Sequence, residues 1–257
     1  GDIAGFAAAS YMRGIGFIQI PTTIVSQVDS SVGGKVGVDL PEGKNLVGAF
    51  HQPKLVLIDN YFLNTLTDRY FYDGFAEIVK YGCIYDKNFF DRLVEIVKKV
   101  GVSQDDENYG QQLRKYLMKY VNELVYRSCE IKKEVVEQDE KESNLRMILN
   151  FGHTIGHAIE QFTNYEKYCH GEAVSAGMVD ITKIGEKKGF TKKGEFVKIE
   201  KLLKALNLPT EIEYPEDEIS EIMKRDKKST SDGINFVILK EIGEVEIMKI
   251  GAEEIFE

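Results

Sequence analysis

Three of the four histidines fall in the segment 153–170, at His153, His157 and His170. His153 and His157 are four residues apart, a spacing that places both side chains on one face of a helix. Gly152 and Gly156 precede them and would let another backbone or a ligand approach closely. Catalytic zinc sites use three protein ligands, often imidazoles with a carboxylate. The cluster therefore indicates a metal site; helix-face and capping histidines remain the alternative, and His-Glu-x-x-His is absent.

A second set of residues could bind an anion. The segment 29–35 ends in Gly-Gly-Lys, and a second Gly-Lys pair occurs in Gly-Lys-Asn at 43–45. Such loops can aim backbone N–H groups and an ammonium at an anion, although the spacing is not that of a Walker A loop and a surface turn is an equal alternative. Glu77 and Lys80 lie three apart on a predicted helix, a pattern more typical of a solvated ion pair. These residues predict a metal-dependent enzyme that acts on an anionic substrate, without specifying the reaction.

The first part of the chain must position these groups with short elements. The small residues of 3–11 predict a helix, and the apolar segments 16–20 and 55–59 predict two buried strands. Pro21 should end the first strand. Helices that alternate with short apolar strands predict a parallel α/β sheet. Five glycines within 29–48 indicate a loop region at the active site.

From about residue 67 onwards the pattern becomes helical. Apolar residues form one stripe over 109–138, which predicts a single long helix, and another helix is predicted from about Asn150 to Phe162. The segments 234–239 and 245–250 predict a hairpin. We therefore predict two domains, 1–66 and 67–257, without a flexible linker between them.

Composition restricts the class of protein. The net charge of −9 and the pI of about 5.2 argue against a general nucleic-acid binder. Three widely spaced cysteines favour a reducing cytoplasm over a disulfide framework, and neither a membrane span nor a signal peptide is visible. The chain opens without an initiator Met or a leading strand, so we interpret it as beginning inside a domain.

Eight sequence blocks, in order along nearly the whole chain, resemble the 3-dehydroquinate synthase family of sugar-phosphate cyclases. The blocks are 1–8, 13–14, 19–23, 27–35, 43–46, 76–82, 150–160 and 170–174. The resemblance implies an α/β fold: 1–66 would be the C-terminal part of a Rossmann-like, parallel-sheet NAD domain, and 67–257 a mainly helical metal- and substrate-binding domain. The family carries a further N-terminal part of the NAD domain, which is missing from this sequence. His51 and Ile155 depart from the family pattern.

The resemblance also implies the site residues. The metal ligands, for zinc or cobalt, would be Glu77, His153 and His170. The NAD-contacting positions would be Gly1, Asp2, Thr22, Thr23, Lys35, Lys44, Phe62, Leu63, Asn64 and Thr65. The substrate-pocket residues would be Asp29, Lys35, Asn45, Lys80, Lys132, Arg146, Asn150, His157 and one lysine of 227–228, taken as Lys227. Arg13 would reach the neighbouring subunit's pocket in a homodimer.

The implied activity is 3-dehydroquinate synthase, a cytoplasmic lyase of the shikimate pathway to aromatic amino acids. Its substrate would be the sugar phosphate 3-deoxy-D-arabino-heptulosonate 7-phosphate. NAD would take a hydride and later return it, with phosphate elimination between the two transfers and an intramolecular aldol closure at the end. No nucleic-acid or membrane partner is implied. The alternatives are another sugar-phosphate cyclase (a 2-deoxy-scyllo-inosose or valiolone-type synthase), an iron-dependent alcohol or glycerol dehydrogenase, and an inactive truncated fragment.

Overall fold

A computed structural model describes residues 1–40, 43–101, 104–142, 144–226 and 233–257, with side chains omitted at 43–45 and 226. Lys44 and Asn45 therefore contribute only their backbone to the description, and Lys227 lies outside the described residues.

Helices dominate the described part of the chain. The α-helices are α1 (Asp2–Ser10), α2 (Asp68–Asp73), α3 (Phe75–Ile84), α4 (Lys87–Lys98), α5 (Tyr109–Leu117), α6 (Val121–Gln138), α7 (His153–Phe162), α8 (His170–Lys188), α9 (Glu195–Ala205) and α10 (Glu216–Asp226). Short 3-10 helices lie at Tyr11–Arg13, Asn60–Thr65 and Leu145–Asn150, and a π-helical turn at Ser26–Ser30. The strands are β1 (Ile18–Gln19), β2 (Lys35–Leu40), β3 (Gly43–Phe50), β4 (Leu55–Val56), β5 (Ile234–Glu241) and β6 (Glu244–Ile250).

The described strands form three two-stranded sheets. Strand β1 pairs with β4 in parallel, which confirms the α/β class. β2 pairs with β3 and β5 with β6, both antiparallel and each with one register shift. The predicted burial of the first strands does not hold, because Ile18 is 60% exposed and Leu55 is 52% exposed. The parallel pair thus presents apolar side chains to solvent, although parallel sheets are usually covered on both faces.

The core lies among the helices around α3. All ten residues of α3 are buried, and the helix packs against α4, α6, α8 and α9. Helix α4 illustrates how the local sequence determines where a helix begins and which of its faces is buried. The Asp86 carboxylate caps it by accepting a hydrogen bond from the N–H of Phe89, and Phe89, Leu93 and Ile96 face the core.

Two predicted elements differ from the structure. The single helix expected over 109–138 is divided into α5 and α6 by a tight turn, in which Lys119 and Tyr120 donate to carbonyls three residues back. The turn keeps Leu117 and Val121 facing the core on both sides, so the apolar stripe continues across it. The glycine-rich region 29–48, expected as a loop, contains the end of the π-helical turn and most of the β2–β3 hairpin.

Within the described ranges, no helix combines the length and the apolar character needed to span a membrane.

Candidate metal and anion site

Helices α7 and α8 approach each other through glycines. A Cβ atom on Gly177 of α8 would lie 2.2 Å from the carbonyl oxygen of Gly152, and one on Gly156 would lie 3.1 Å from the Cα of Val174. Gly152 has φ of +76°, which suits the sharp turn before α7. The close approach expected from Gly152 and Gly156 is therefore made by the backbone of α8.

This packing joins the first residues of the two helices. His153 begins α7 and His170 begins α8, and their ring centroids are 5.2 Å apart. The third component, Glu77, comes from α3 and is fully buried. Its Oε1 atom lies 3.1 Å from Nε2 of His170 and 3.2 Å from Nε2 of His153. The structure thus brings all three predicted metal ligands together.

The other ring nitrogens are already hydrogen-bonded. Nδ1 of His153 donates to the carbonyl of Phe151 at 3.0 Å, and Nδ1 of His170 lies 3.3 Å from Oε2 of Glu160. Such bonds fix the tautomer and turn Nε2 towards a metal. Glu160 is itself buried. Each imidazole is therefore held with its Nε2 aimed at the same carboxylate oxygen.

The residues present fit a divalent cation. Two ligand atoms of one tetrahedral zinc ion lie about 3.3 Å apart, from zinc–ligand distances of about 2.0–2.1 Å. The separations from Oε1 of Glu77 match this value. Three electron-rich atoms facing one point require a positive charge between them. Burial alone would lower the pKa of His170, yet hydrogen bonds to Glu160 and Glu77 raise it to about 10, so a proton serves this purpose without a metal.

His157 adds a possible fourth group. A ligand atom of each of His153, His157 and His170 lies within 4.8 Å of the others, and these three histidines also form a set that could hold a metal. His157 is exposed, whereas Glu77 is fully buried. Two sets therefore share His153 and His170 and differ in the third ligand, Glu77 or His157.

A chain of buried charges runs from Glu77 to α6. Lys80 pairs with Oε2 of Glu77 and lies 3.8 Å from the Asp29 carboxylate, which Lys132 contacts at 2.9 Å. Tyr81 donates to the same carboxylate at 2.7 Å. Burial opposes ionisation of Asp29, but the ammonium groups of Lys132 and Lys80 hold its pKa below the ordinary value. Burial lowers the pKa of Lys132, although Asp29 opposes that shift.

Asp29, Lys80 and Lys132 line a cavity of about 550 Å³, together with His153 and His170. Arg146 is 1% exposed and donates to the carbonyls of Glu140 at 2.5 Å and Gly33 at 3.0 Å. Its Nε has no hydrogen-bond partner among the described residues. Glu142 also faces the cavity, where it accepts a hydrogen bond from Asn150 at 2.8 Å and pairs with Lys35. A cavity with lysines, an arginine and an amide on its wall suits a phosphorylated or carboxylated ligand.

Most of the predicted substrate-pocket residues line this cavity. They are Asp29, Lys35, Lys80, Lys132, Arg146, Asn150 and His157. Arg13 does not line it and is exposed, with φ of +67°. The side chain of Asn45 and all of Lys227 lie outside the description.

The predicted NAD positions are spread more widely. Asp2 and Lys35 line the cavity, and burial raises the pKa of Asp2. Positions outside the lining include Thr23, whose hydroxyl lies 2.9 Å from that of Ser26, and Leu63, whose side chain is fully buried in the core. The remaining described positions outside the lining are Gly1, Thr22, Phe62, Asn64 and Thr65. The NAD assignments therefore stay predictions.

Two site residues were not predicted from the sequence. Glu160 lies seven residues after His153, about two turns along the same helix face, so helical spacing could have pointed to it. Glu142 lies in a polar segment after α6 that resembles an ordinary surface turn, and no pattern would have selected it.

Solved structures with the same fold define the class. The chain superposes on ValA (2-epi-5-epi-valiolone synthase) from Streptomyces hygroscopicus subsp. jinggangensis 5008 with a TM-score of 0.83 and 25% identity, covering 99% of this chain and 68% of that one. A 2-deoxy-scyllo-inosose synthase gives 0.82 and 26%, with 99% and 69% covered. The first holds NAD+ and Zn2+, and the second holds carbaglucose-6-phosphate, NAD+ and Co2+. The fold is that of the sugar-phosphate cyclases.

Sequence comparison identifies the family within this class. The family profiles described as 3-dehydroquinate synthase N-terminal and C-terminal match residues 1–73 and 74–229. The 3-dehydroquinate synthase of Clostridium perfringens strain 13 is 50% identical over 95% of this chain and 66% of the relative. That of Clostridium acetobutylicum ATCC 824 is 49% identical over 100% of this chain and 68% of the relative. The chain belongs to the 3-dehydroquinate synthase family and spans about two thirds of the length of these relatives.

Proposed function

We propose that this chain carries the metal and substrate site of a 3-dehydroquinate synthase. The enzyme would convert 3-deoxy-D-arabino-heptulosonate 7-phosphate to 3-dehydroquinate and phosphate, as a carbon–oxygen lyase dependent on NAD+ and a divalent metal. The observation that carries the proposal is the convergence of Glu77, His153 and His170 on one point beside a lysine-lined cavity. Family membership and the NAD+, Zn2+ and Co2+ of the structural neighbours support the same conclusion.

Glu77, His153 and His170 would hold the cation. When bound, the metal would supply Lewis-acid polarisation of substrate hydroxyls, and NAD+ would supply a reversible hydride acceptor. The buried Glu77 carboxylate contributes a negative charge that favours a divalent ion. Because Lys80 pairs with the other oxygen of Glu77, it also brings a positive charge next to the metal position.

The lysine and arginine side chains of the cavity would bind the substrate's phosphate and carboxylate. Lys35 on β2 and both Arg146 and Asn150 on the 3-10 helix Leu145–Asn150 provide charged and amide donors from two separate elements, which fixes the orientation of a flexible substrate. Asp29 stays ionised and holds the ammonium of Lys132 at the cavity wall. His157, with its ring centroid 5.7 Å from that of His170, can hydrogen-bond the departing phosphate.

The proposal is tested with the full chain loaded with Zn2+ and NAD+. Binding of each is measured first, and release of inorganic phosphate is then followed with the heptulosonate phosphate and with a heptulose 7-phosphate that lacks the carboxylate. NADH absorbance is recorded in parallel. We expect phosphate release from the heptulosonate phosphate only, without accumulation of NADH.

The two alternative enzyme classes give different results in this assay. Preference for the heptulose phosphate would assign the chain to another sugar-phosphate cyclase. Accumulation of NADH from a simple alcohol would indicate a dehydrogenase. Absence of phosphate release, with Zn2+ and NAD+ both bound, would contradict the proposed activity. His153→Ala removes one of the proposed metal ligands. His51→Ala is its matched control, because His51 is the histidine that lies outside the cluster.

We also propose that the chain works as a cytoplasmic homodimer in which Arg13 contacts the neighbouring subunit's cavity. Arg13 is exposed, lies outside the lining of its own cavity, and has exposed apolar neighbours in Tyr11, Met12 and Ile15. The described cysteines are free thiols, as expected in a reducing compartment. Sedimentation would give the dimer mass, and a monomer with full activity would contradict the proposal.

A further inference from the structure

A contact outside the cavity joins the elements that carry Glu77 and His170. Asp73, at the end of α2, is 5% exposed and does not line the cavity. Its Oδ1 accepts a hydrogen bond at 3.0 Å from the N–H of Glu172, in the first turn of α8. The carboxylate thus satisfies one of the N–H groups that a helix leaves free at its start. This hydrogen bond ties the first turn of α8, which includes His170, to α2.

A second side chain of α2 holds the same turn. Nε and Nη2 of Arg69 donate to the two carboxylate oxygens of Glu172 at 2.7 and 2.6 Å, and Nη2 also donates to the carbonyl of Lys167 at 2.7 Å. The backbones touch as well, because a Cβ on Gly171 would clash with the carbonyl oxygen of Asp73. The start of α8 is therefore fixed to α2 by side chains and by backbone packing.

The same end of α2 determines where Glu77 lies. Helix α2 passes through Gly74 directly into the buried α3, so Glu77 follows Asp73 by only four residues. His170 precedes Glu172 by two residues. Asp73 is thus connected to one metal ligand through a single helical turn and to the other through a single hydrogen bond. The separation of 3.1 Å between Oε1 of Glu77 and Nε2 of His170 depends on this short connection.

We propose that Asp73 and Arg69 are positioning residues that fix His170 at the distance from Glu77 that a shared metal ion requires. The inference rests on the proposed function only in taking Glu77 and His170 as metal ligands. Neither Asp73 nor Arg69 lines the cavity, so both act through the first turn of α8. Burial raises the pKa of Asp73 to about 6 and so disfavours its charge, whereas the contact uses its oxygen as a hydrogen-bond acceptor.

The test measures Zn2+ affinity by chelator competition and the visible absorption of the Co2+-loaded full chain, which reports the coordination geometry. Asp73→Ala should weaken Zn2+ binding by about tenfold and alter the Co2+ spectrum, because the first turn of α8 loses its acceptor. Asp73→Asn keeps an acceptor oxygen at the same place and should restore both the affinity and the spectrum. An Asp73→Asn variant as weak as Asp73→Ala would assign the effect to charge and overturn the inference.

The matched control is Asp86→Ala, which removes a helix cap from α4, an element without a metal ligand. Asp86 accepts from the N–H of Phe89 at 3.0 Å and pairs with Arg127 at 2.8 Å, so it resembles the contacts at α8. This variant should lose stability but keep the wild-type Zn2+ affinity and Co2+ spectrum. If it weakened Zn2+ binding as much as Asp73→Ala, the cause would be a general loss of stability, and the positioning role would be refuted.

Arg69→Ala keeps the test decisive if Asp73→Ala does not fold. The side chain of Arg69 is 49% exposed, so its removal should leave the fold intact. Because Glu172 and Lys167 then lose their partner on α2, weaker Zn2+ binding and an altered Co2+ spectrum are expected. Wild-type affinity with an unchanged spectrum in Arg69→Ala, or in Asp73→Ala, would overturn the inference.

The wild-type measurement separates this inference from the proposed function. Failure of the wild type to bind Zn2+ would contradict the metal site itself and, with it, both proposals. Zn2+ binding by the wild type, with equal affinities in the Asp73 and Arg69 variants, would overturn the positioning role alone.

Discussion

At the scale of single side chains, the metal site depends on which nitrogen of each imidazole is already hydrogen-bonded. Phe151 and Glu160 accept from Nδ1 of His153 and His170, which leaves both Nε2 atoms near Glu77. Glu160 differs from the Phe151 carbonyl because it is charged. It can therefore raise the basicity of His170 as well as fix its orientation.

Glu160→Gln should weaken Zn2+ binding by about 10–100-fold, because a neutral amide orients and polarises His170 less well. Zn2+ affinity is measured by competition with a chromophoric chelator. Glu195→Gln is the matched control: Glu195 is 2% exposed against 3% for Glu160, and it bonds Lys198 and the N–H of Ile242 instead. Equal Zn2+ affinities for the two variants would show that Glu160 has no specific part in the site.

Asp29→Asn should lower the free energy of unfolding by about 3 kcal/mol, since it leaves the buried ammoniums of Lys80 and Lys132 without their shared carboxylate. Urea unfolding at neutral pH measures the difference. Glu137→Gln, which removes the partner of Lys133 in a pair with both side chains more than 60% exposed, should cost less than about 1 kcal/mol.

The Asp29 effect should also depend on pH in one direction. The folded state lowers the pKa of Asp29, so its contribution is fully present above the unfolded value of about 3.9 and is lost as the pH falls further. The stability difference between wild type and Asp29→Asn should therefore shrink below about pH 4. A difference that grows on acidification would contradict the assigned charge state.

At the scale of elements, the site exists because α7 and α8 touch through their backbones. Gly152, Gly156 and Gly177 leave no room for a Cβ at the contact. Both helices present a histidine as their first residue, so a shift of one helix along the other would separate His153 from His170.

Gly177→Ala should destabilise the protein by about 1–3 kcal/mol and weaken Zn2+ binding, because the new methyl group would meet the Gly152 carbonyl at 2.2 Å. Gly110→Ala, also within a helix, is the control: its nearest neighbour would be the Tyr72 hydroxyl at 3.9 Å, and a gain of up to about 0.5 kcal/mol is expected. Unfolding and Zn2+ titration are measured on both. Equal stability of the two variants would contradict the close packing.

Elements with one clear period were predictable from the sequence. The helix over Asp2–Ser10 and the β5–β6 hairpin were confirmed almost to the residue. The break between α5 and α6 was not predictable, because Leu117 and Val121 preserve the apolar spacing while the backbone tightens between them. The β2–β3 hairpin was not predictable, because five glycines within 29–48 are more typical of a loop than of paired strands.

At the scale of the whole molecule, the cavity joins distant parts of the chain. Asp29 and Lys35 come from the first 73 residues, and Lys80, Lys132 and His153 from the rest. The sequence carries a net charge of −9, yet the cavity concentrates lysines. From the sequence, only the family resemblance placed Glu77 in one site with the histidines. His153 lies 76 positions further along the chain, and helical spacing relates only residues a few positions apart. The place of Glu142 in the cavity follows from the three-dimensional path of the chain after α6, which no sequence pattern predicts.

A ligand held by separate elements should stabilise the whole chain. Zn2+ at a free concentration one hundred times its dissociation constant should raise the free energy of unfolding by about 2.7 kcal/mol, and a chelator should reverse the gain. Urea unfolding with and without Zn2+ measures the gain. His51→Ala should keep it and His153→Ala should lose it. Zn2+ stabilisation that survives in His153→Ala would contradict the assigned site.

The most direct measurement is a crystal structure of the Zn2+-loaded chain with anomalous data collected at the zinc edge. The account predicts one strong anomalous peak, about 2.0–2.2 Å from a Glu77 carboxylate oxygen and from Nε2 of both His153 and His170. A peak bonded to His157 in place of Glu77, or no peak at these residues, would contradict it.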